Sequence, residues 1–122
     1  MSVKMEWHPK LPVLILSFTG ELTARDYGKM CTEREKMLAQ GPEHVVILAD
    51  ACQFEGFSDA HGMDLMSAVL AHEKVGYVLV VLDEVVYNKL ARSFSTAPET
   101  NLPVRLFTNI DTALETAHNL LN

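Results

Sequence analysis

Two apolar runs restrict what this chain can become. Val45-Val46-Ile47-Leu48-Ala49 puts five apolar residues in succession, and Val75 to Leu82 is nearly as continuous. A strand with one wet face alternates apolar and polar residues, so runs this unbroken and rich in β-branched members require strands covered on both faces. Between them lies a segment of helical period, Ser58 to Ala71. Gly62, Met63, Met66, Val69 and Leu70 share one face of it, while Asp64 and Ser67 turn away. Two buried strands joined through a helix form the unit of a parallel sheet in an α/β fold.

The remainder of the chain extends that pattern. Val3 to His8 alternates strictly, with Val3, Met5 and Trp7 on one face and Lys4, Glu6 and His8 on the other, as in an edge or half-solvated strand. Pro9-Lys10-Leu11-Pro12 is a tight connection, and Val13 to Phe18 is the natural hairpin partner. Gly20 is expected to break that strand, and Thr23-Ala24-Arg25-Asp26 has the form of a capping box opening a helix. Tyr27, Met30, Cys31, Met37 and Leu38 make its apolar stripe; Arg34, in the middle of that stripe, is expected to snorkel from the border. Gly41-Pro42 stops this helix, with Gly41 read as a C′ glycine. Asp83 or Glu84 begins a further helix carrying Val86, Leu90, Ala91 and Phe94, and Ser95 to Leu102 is a polar loop. Val104 to Phe107 is a short strand, and Ile110 to Leu121 is an amphipathic helix capped by Asn109 or Asp111. The expected fold is a single α/β domain with a mixed, mostly parallel sheet of about five strands and about four helices, in the order ββαβαβαβα.

Composition narrows the function. The 122 residues suffice for one domain with its own core, and 48% hydrophobic against 21% charged residues is ordinary globular chemistry. A formal net charge of −6, without any cluster of Lys and Arg, argues against a nucleic-acid partner because the phosphate backbone would be repelled. No apolar run approaches the roughly 20 residues of a membrane span. The opening residues carry Glu6, His8 and Pro9 rather than a basic-then-apolar leader, and Cys31 and Cys52 stand far apart, so a cytoplasmic protein with free thiols is expected.

The element order and the stretch from His44 to Met63 resemble the STAS family, the domain shared by bacterial anti-sigma-factor antagonists and sulfate-transporter tails. Many of its members carry a strand ending in Asp, a loop with an aromatic residue, and Asp-Ser-Ser-Gly-Leu at a helix start. Asp50, Phe57, Asp59 and Gly62 match that pattern here, with one extra loop residue, and Gly20-Glu21-Leu22-Thr23 is similar to the family's Gly-x-Leu turn. Ala60 and His61 occupy the two serine positions, so the hydroxyl that takes phosphate in phosphorylated members is missing. The resemblance implies a divergent branch that binds rather than catalyses, and the related fold of Sec14-like carriers adds a small apolar ligand to the options.

The working surface is expected where the Val45 to Ala49 strand ends at Asp50 and a loop, Cys52 to Phe57, leads to a helix start, since backbone donors converge there. Its candidate residues are Phe54, Glu55, Phe57, Ser58, Asp59 and His61, with Phe54 or Phe57 as an aromatic anchor for a protein partner. Ser58 is a displaced candidate phosphoacceptor or a plain helix cap. Tyr27, Met30, Met63 and Met66 would line an apolar pocket if the two helices pack side by side, although core filling explains them as well. An alternative is a small enzyme using His61 with Asp50, Glu55 or Cys52. His61 with Asp64 is the one close pair at helical spacing and no third ligand is evident, so neither a metal nor another cofactor is expected. An exposed sheet edge at Val3 to His8 or Val104 to Phe107 leaves room for a homodimer.

Overall fold

The computed structural model describes residues 3–57, 73–88 and 104–121. Its elements run β1 (Val3–Trp7), β2 (Val13–Leu22), α1 (Ala24–Gln40), β3 (Val45–Phe57), β4 (Val75–Val81), β5 (Val104–Phe107) and α2 (Ile110–Leu121), with a helical stretch at 84–88. The expected helix over 58–71 and most of the one after Asp83 lie outside the described residues.

The five strands form one sheet in the order β1-β2-β3-β4-β5. β1 pairs antiparallel with β2, from Val3↔Phe18 to Trp7↔Leu14, and every other neighbour is parallel. The hairpin turn is closed by His8, which leaves the strand: its Nδ1 accepts from the amides of Lys10 and Leu11, both at 3.1 Å. Proline on either side of this pair leaves few local donors, and His8 gathers the two that remain.

Both faces of the sheet are covered, which is why its inner strands read as unbroken apolar runs. Leu14, Leu16 and Phe18 of β2, with Val45, Ile47 and Ala49 of β3, share one cluster with Met30 and Leu38 of α1. Val13, Val46, Leu48, Leu79 and Val81 face the other way and bury Ala113 and Ala117 of α2. Small residues at the latter contact let α2 approach the sheet closely.

Thr23 caps α1, its Oγ1 accepting from the Asp26 amide at 3.2 Å, as the sequence predicts. Asn109 does the same for α2, accepting from Asp111 and Thr112. The end of α1 differs from expectation in its cause. Gly41 has φ −93°, an ordinary extended value, so no left-handed cap requires glycine. The requirement is space: a Cβ on Gly41 would lie 2.6 Å from Cζ2 of Trp7. Lys74 Nζ donates to the Leu38 carbonyl at 2.7 Å, supplying a cation at the negative end of the helix. Arg34 also departs from expectation. It is turned inward and only 8% exposed, with Nη2 donating to Glu35 and with Nε and Nη1 unpartnered among the described residues.

Two strand ends are corrected. Gly20 does not break β2; at φ +71° it bends the strand, which continues to Leu22. Asp50 does not end β3, and 52–57 is not a loop, for β3 runs on to Phe57. The two prolongations pair with each other, Thr19↔Gln53, Gly20↔Phe54, Glu21↔Gly56 and Leu22↔Phe57, through register shifts that place extra residues in β3. Bulges absorb the residues that look like strand breakers in the sequence and increase the local twist.

Candidate functional site

β4 stops opposite Asp50, at Val81, so from Ala51 onward β3 is paired on the β2 side only, among the described residues. The result is a two-stranded ribbon extending past the carboxyl ends of the parallel strands, the region where open α/β sheets place ligands. Asp50 anchors its base. Its Oδ1 accepts from the Cys52 amide at 3.2 Å, a local side-chain to backbone bond that stabilises the bulge.

The residues expected on this surface fall into different settings. Glu55 is exposed, as are Cys52 and Gln53. Phe54 is half-buried, and its ring meets Phe18 edge-on at 5.7 Å between centroids with 62° between planes. It is thus committed to the α1 side of the sheet and is not a free-standing anchor. Phe57 pairs with Leu22 at the tip of the ribbon. Ser58, Asp59 and His61 lie outside the described residues, as do Met63 and Met66.

Among the described residues, nothing around Cys52 activates its thiol. Burial of the sulfur pushes its thiol pKa up, the Asp50 carboxylate that it hydrogen-bonds pushes it further, and Asp83 adds to the effect. All three favour the protonated, unreactive form. His61, the partner of Cys52 in the enzyme alternative, lies outside the described residues.

The influence of Asp83 on Cys52 reveals a neighbour that the sequence marks only as a helix start. Asp83 follows the end of β4, and its Oδ1 accepts from the Val86 amide at 2.9 Å. Val85 beside it is 65% exposed, more than is usual for a large apolar side chain on a short helical stretch. Asp50 and Asp83 thus both act on Cys52 at the end of the sheet where β3 and β4 part, and Val85 follows two residues after Asp83. The signal in the sequence was the pair of apolar runs: aligning their ends brings Asp50 and Asp83 to the same edge.

Met30 and Tyr27 are the two members of the expected apolar pocket that lie among the described residues, and both pack in the cluster under α1. Met30 is 2% exposed and belongs to the core. It also lines an open groove of about 420 Å³ with Val3, Lys4, Met5, Asp26, Lys29 and Glu33, on the β1 side of α1. Tyr27 is half-buried against the same cluster; burial and the Cys31 thiol hold its hydroxyl above the usual pKa, with Arg34 opposing them. Among the described residues no three His, Cys, Asp or Glu gather as metal ligands. Among them, too, no helix is long and apolar enough to cross a membrane.

Comparison with known proteins gives this geometry a family. The chain is similar to an uncharacterised protein of the DUF3478 family with a SpoIIAA-like fold from Shewanella loihica PV-4, at 20% identity and a TM-score of 0.69. That alignment covers 98% of this chain and 92% of the other. It is also similar to the anti-sigma factor antagonist SpoIIAA in its unphosphorylated form, at 13% identity and a TM-score of 0.61, covering 95% of this chain and 97% of that one. At such identities the likeness establishes the fold. A search of curated proteins finds no match. The family model described as SpoIIAA-like matches residues 13–115, from the start of β2 into α2, in line with the resemblance to STAS domains. The chain belongs to the SpoIIAA-like family.

Proposed function

We infer that this protein is a non-enzymatic regulatory module that works by protein contact, through the β2–β3 ribbon and the segment that follows it. The observation that carries this reading is the one-sided pairing of β3 from Ala51 to Phe57 among the described residues, with Val85 exposed shortly after the end of β4. A strand bonded on one side presents backbone donors and acceptors that a partner chain can complete, and an exposed apolar side chain is a contact such a partner can cover. The carboxylates of Asp50, Glu55, Asp83 and Glu84 favour a partner with a basic surface. With Ala60 and His61 at the serine positions of the family motif, control by phosphate at those two positions is not part of the proposal, and Ser58 remains the one candidate hydroxyl beside them. A small apolar ligand is the other occupant this reading allows, and Met63 and Met66, expected to line its pocket, lie outside the described residues. Catalysis through Cys52 has less support, since burial and the Asp50 carboxylate both push its thiol pKa up.

Site-specific photo-crosslinking in the native host tests the reading. A crosslinker at Gln53 or Glu55 is expected to trap one defined adduct, and the same group at Lys36, on the outer side of α1, none. Replacing both Glu55 and Asp83 by Lys should reduce the Gln53 adduct at least about tenfold, since like charges now face the partner. Equal labelling from all three positions, or none from the ribbon, overturns the proposal.

A further inference from the structure

The other margin of the sheet carries a separate message. β1 is the terminal strand, and its outer edge has no strand partner among the described residues. Its residues are Val3-Lys4-Met5-Glu6-Trp7, with Lys4 and Glu6 exposed on one face and Val3, Met5 and Trp7 turned toward the α1 side. We propose that this edge is the interface of a symmetric dimer, in which β1 of a second copy pairs antiparallel with β1 across a two-fold axis at Met5.

The register follows from the geometry of antiparallel pairing. Residues directly opposite each other must share a face of the sheet, so a symmetric pair can be centred only on a residue. Centring on Lys4 opposes Lys4 to itself, and centring on Glu6 opposes Glu6 to itself; both place like charges together. Centring on Met5 opposes Lys4 to Glu6 of the second copy twice over, sets Met5 against Met5, and sets Val3 against Trp7. This register also pairs every residue of the strand. An isologous interface demands such self-complementarity, and β1 has it in one register alone.

The groove beside β1 supports the same occupant. Val3, Met5 and Met30 supply its apolar part, while Lys4, Asp26, Lys29 and Glu33 also line it. In the Met5-centred pairing, Met5 and Trp7 of the second copy arrive on the α1 side of the continued sheet, next to this apolar strip. β5, the opposite edge, does not offer an equivalent. It is four residues long, and a pair centred on Arg105 would oppose two guanidinium groups, while one centred on Leu106 would set Arg105 against Phe107. Arg105 is moreover already placed over the Tyr77 ring of its own chain, 5.9 Å from the centroid.

Light scattering on the full chain across a range of concentrations provides the test, with circular dichroism to confirm that each variant is folded. The wild type is expected at twice the mass of one chain. Lys4→Glu sets a carboxylate against Glu6 of the second copy, and Glu6→Lys sets an ammonium against its Lys4, so each variant alone should become monomeric. Mixing the two in equal amounts restores unlike charges at both positions and should recover the dimer mass, as should the double swap within one chain. Both positions are exposed, so the monomers should keep the wild-type spectrum. A wild type that stays monomeric throughout overturns the proposal and leaves the edge to a foreign strand. A dimer that survives both single reversals also overturns it and moves the interface elsewhere.

Discussion

The two halves of β3 obey different rules although they form one strand. From Val45 to Asp50 it has a neighbour on each side and a helix layer over each face, and Val45 to Ala49 are all buried. From Ala51 to Phe57 it has β2 alone among the described residues, and Cys52, Gln53 and Glu55 are exposed. The first half is held by apolar burial on both faces. The second is held by one ladder of backbone bonds, the Phe18–Phe54 contact and the Asp50 side chain. Burial on both faces and one-sided pairing are thus divided along one strand, with Asp50 at the boundary.

The largest expected effect tests that division. Leu48 is fully buried, and Leu48→Ala leaves a cavity in the packed core, at a cost of about 2–5 kcal/mol. Glu55→Ala, further along the same strand, should change stability by no more than about 0.5 kcal/mol. Urea unfolding of the two variants makes the comparison directly. Equal losses would show that the ribbon belongs to the cooperative core.

A smaller effect should come from Gly20, which bends β2 where it meets Phe54. Its φ of +71° lies in the region L-residues avoid, while a Cβ there would have only Glu55 Oε2 nearby, at 3.9 Å. Gly20→Ala therefore introduces strain without a clash, about 1–2 kcal/mol by the usual left-handed penalty. Hydrogen exchange distinguishes where that strain acts. The amides of Phe54 and Gly56 should exchange faster in the variant, while those of Ile47 and Leu48 hold near the global rate, because the bulged ribbon opens without the core.

The first half of β3 was legible in the sequence for a simple reason. Being covered on both faces leaves an unbroken apolar run, and Val45 to Ala49 has no other economical explanation. The second half was not, because Gly20, Asp50 and Gly56 are local signs of a turn. What keeps the strand going is the parallel partner, a contact between residues far apart in the chain that no local pattern records. The same distance effect hid the burial of Phe54 by Phe18 and the approach of Asp83 to Cys52. Gly41 shows the converse, a glycine correctly placed at a helix end whose need arises from Trp7 across the fold. The candidate residues Ser58, Asp59 and His61 lie outside the described residues; of the others, Glu55 is exposed as expected of a surface residue, while Phe54 is held by Phe18.

The smallest effect is chemical and sits at the boundary itself. Partial burial, the Asp50 carboxylate and Asp83 all raise the Cys52 thiol pKa, whereas an unfolded chain would leave it at its ordinary value. Between those two values the unfolded state has lost the proton and the folded state has kept it. Stability contributed by the protonated thiol is therefore intact below the ordinary thiol pKa and is lost as pH rises through the folded one. Asp50→Asn removes a carboxylate while keeping an acceptor for the Cys52 amide, so it should bring the thiol pKa down and leave the bulge in place. The rate of iodoacetamide labelling at Cys52, followed by mass spectrometry across the alkaline range, should then shift its midpoint to lower pH in the variant. The alkaline loss of stability should weaken with it, and Cys52→Ser should abolish that part of the pH dependence altogether. An unshifted labelling midpoint in Asp50→Asn would mean that the carboxylate does not govern the thiol, and the boundary between the two halves of β3 would be a matter of pairing alone.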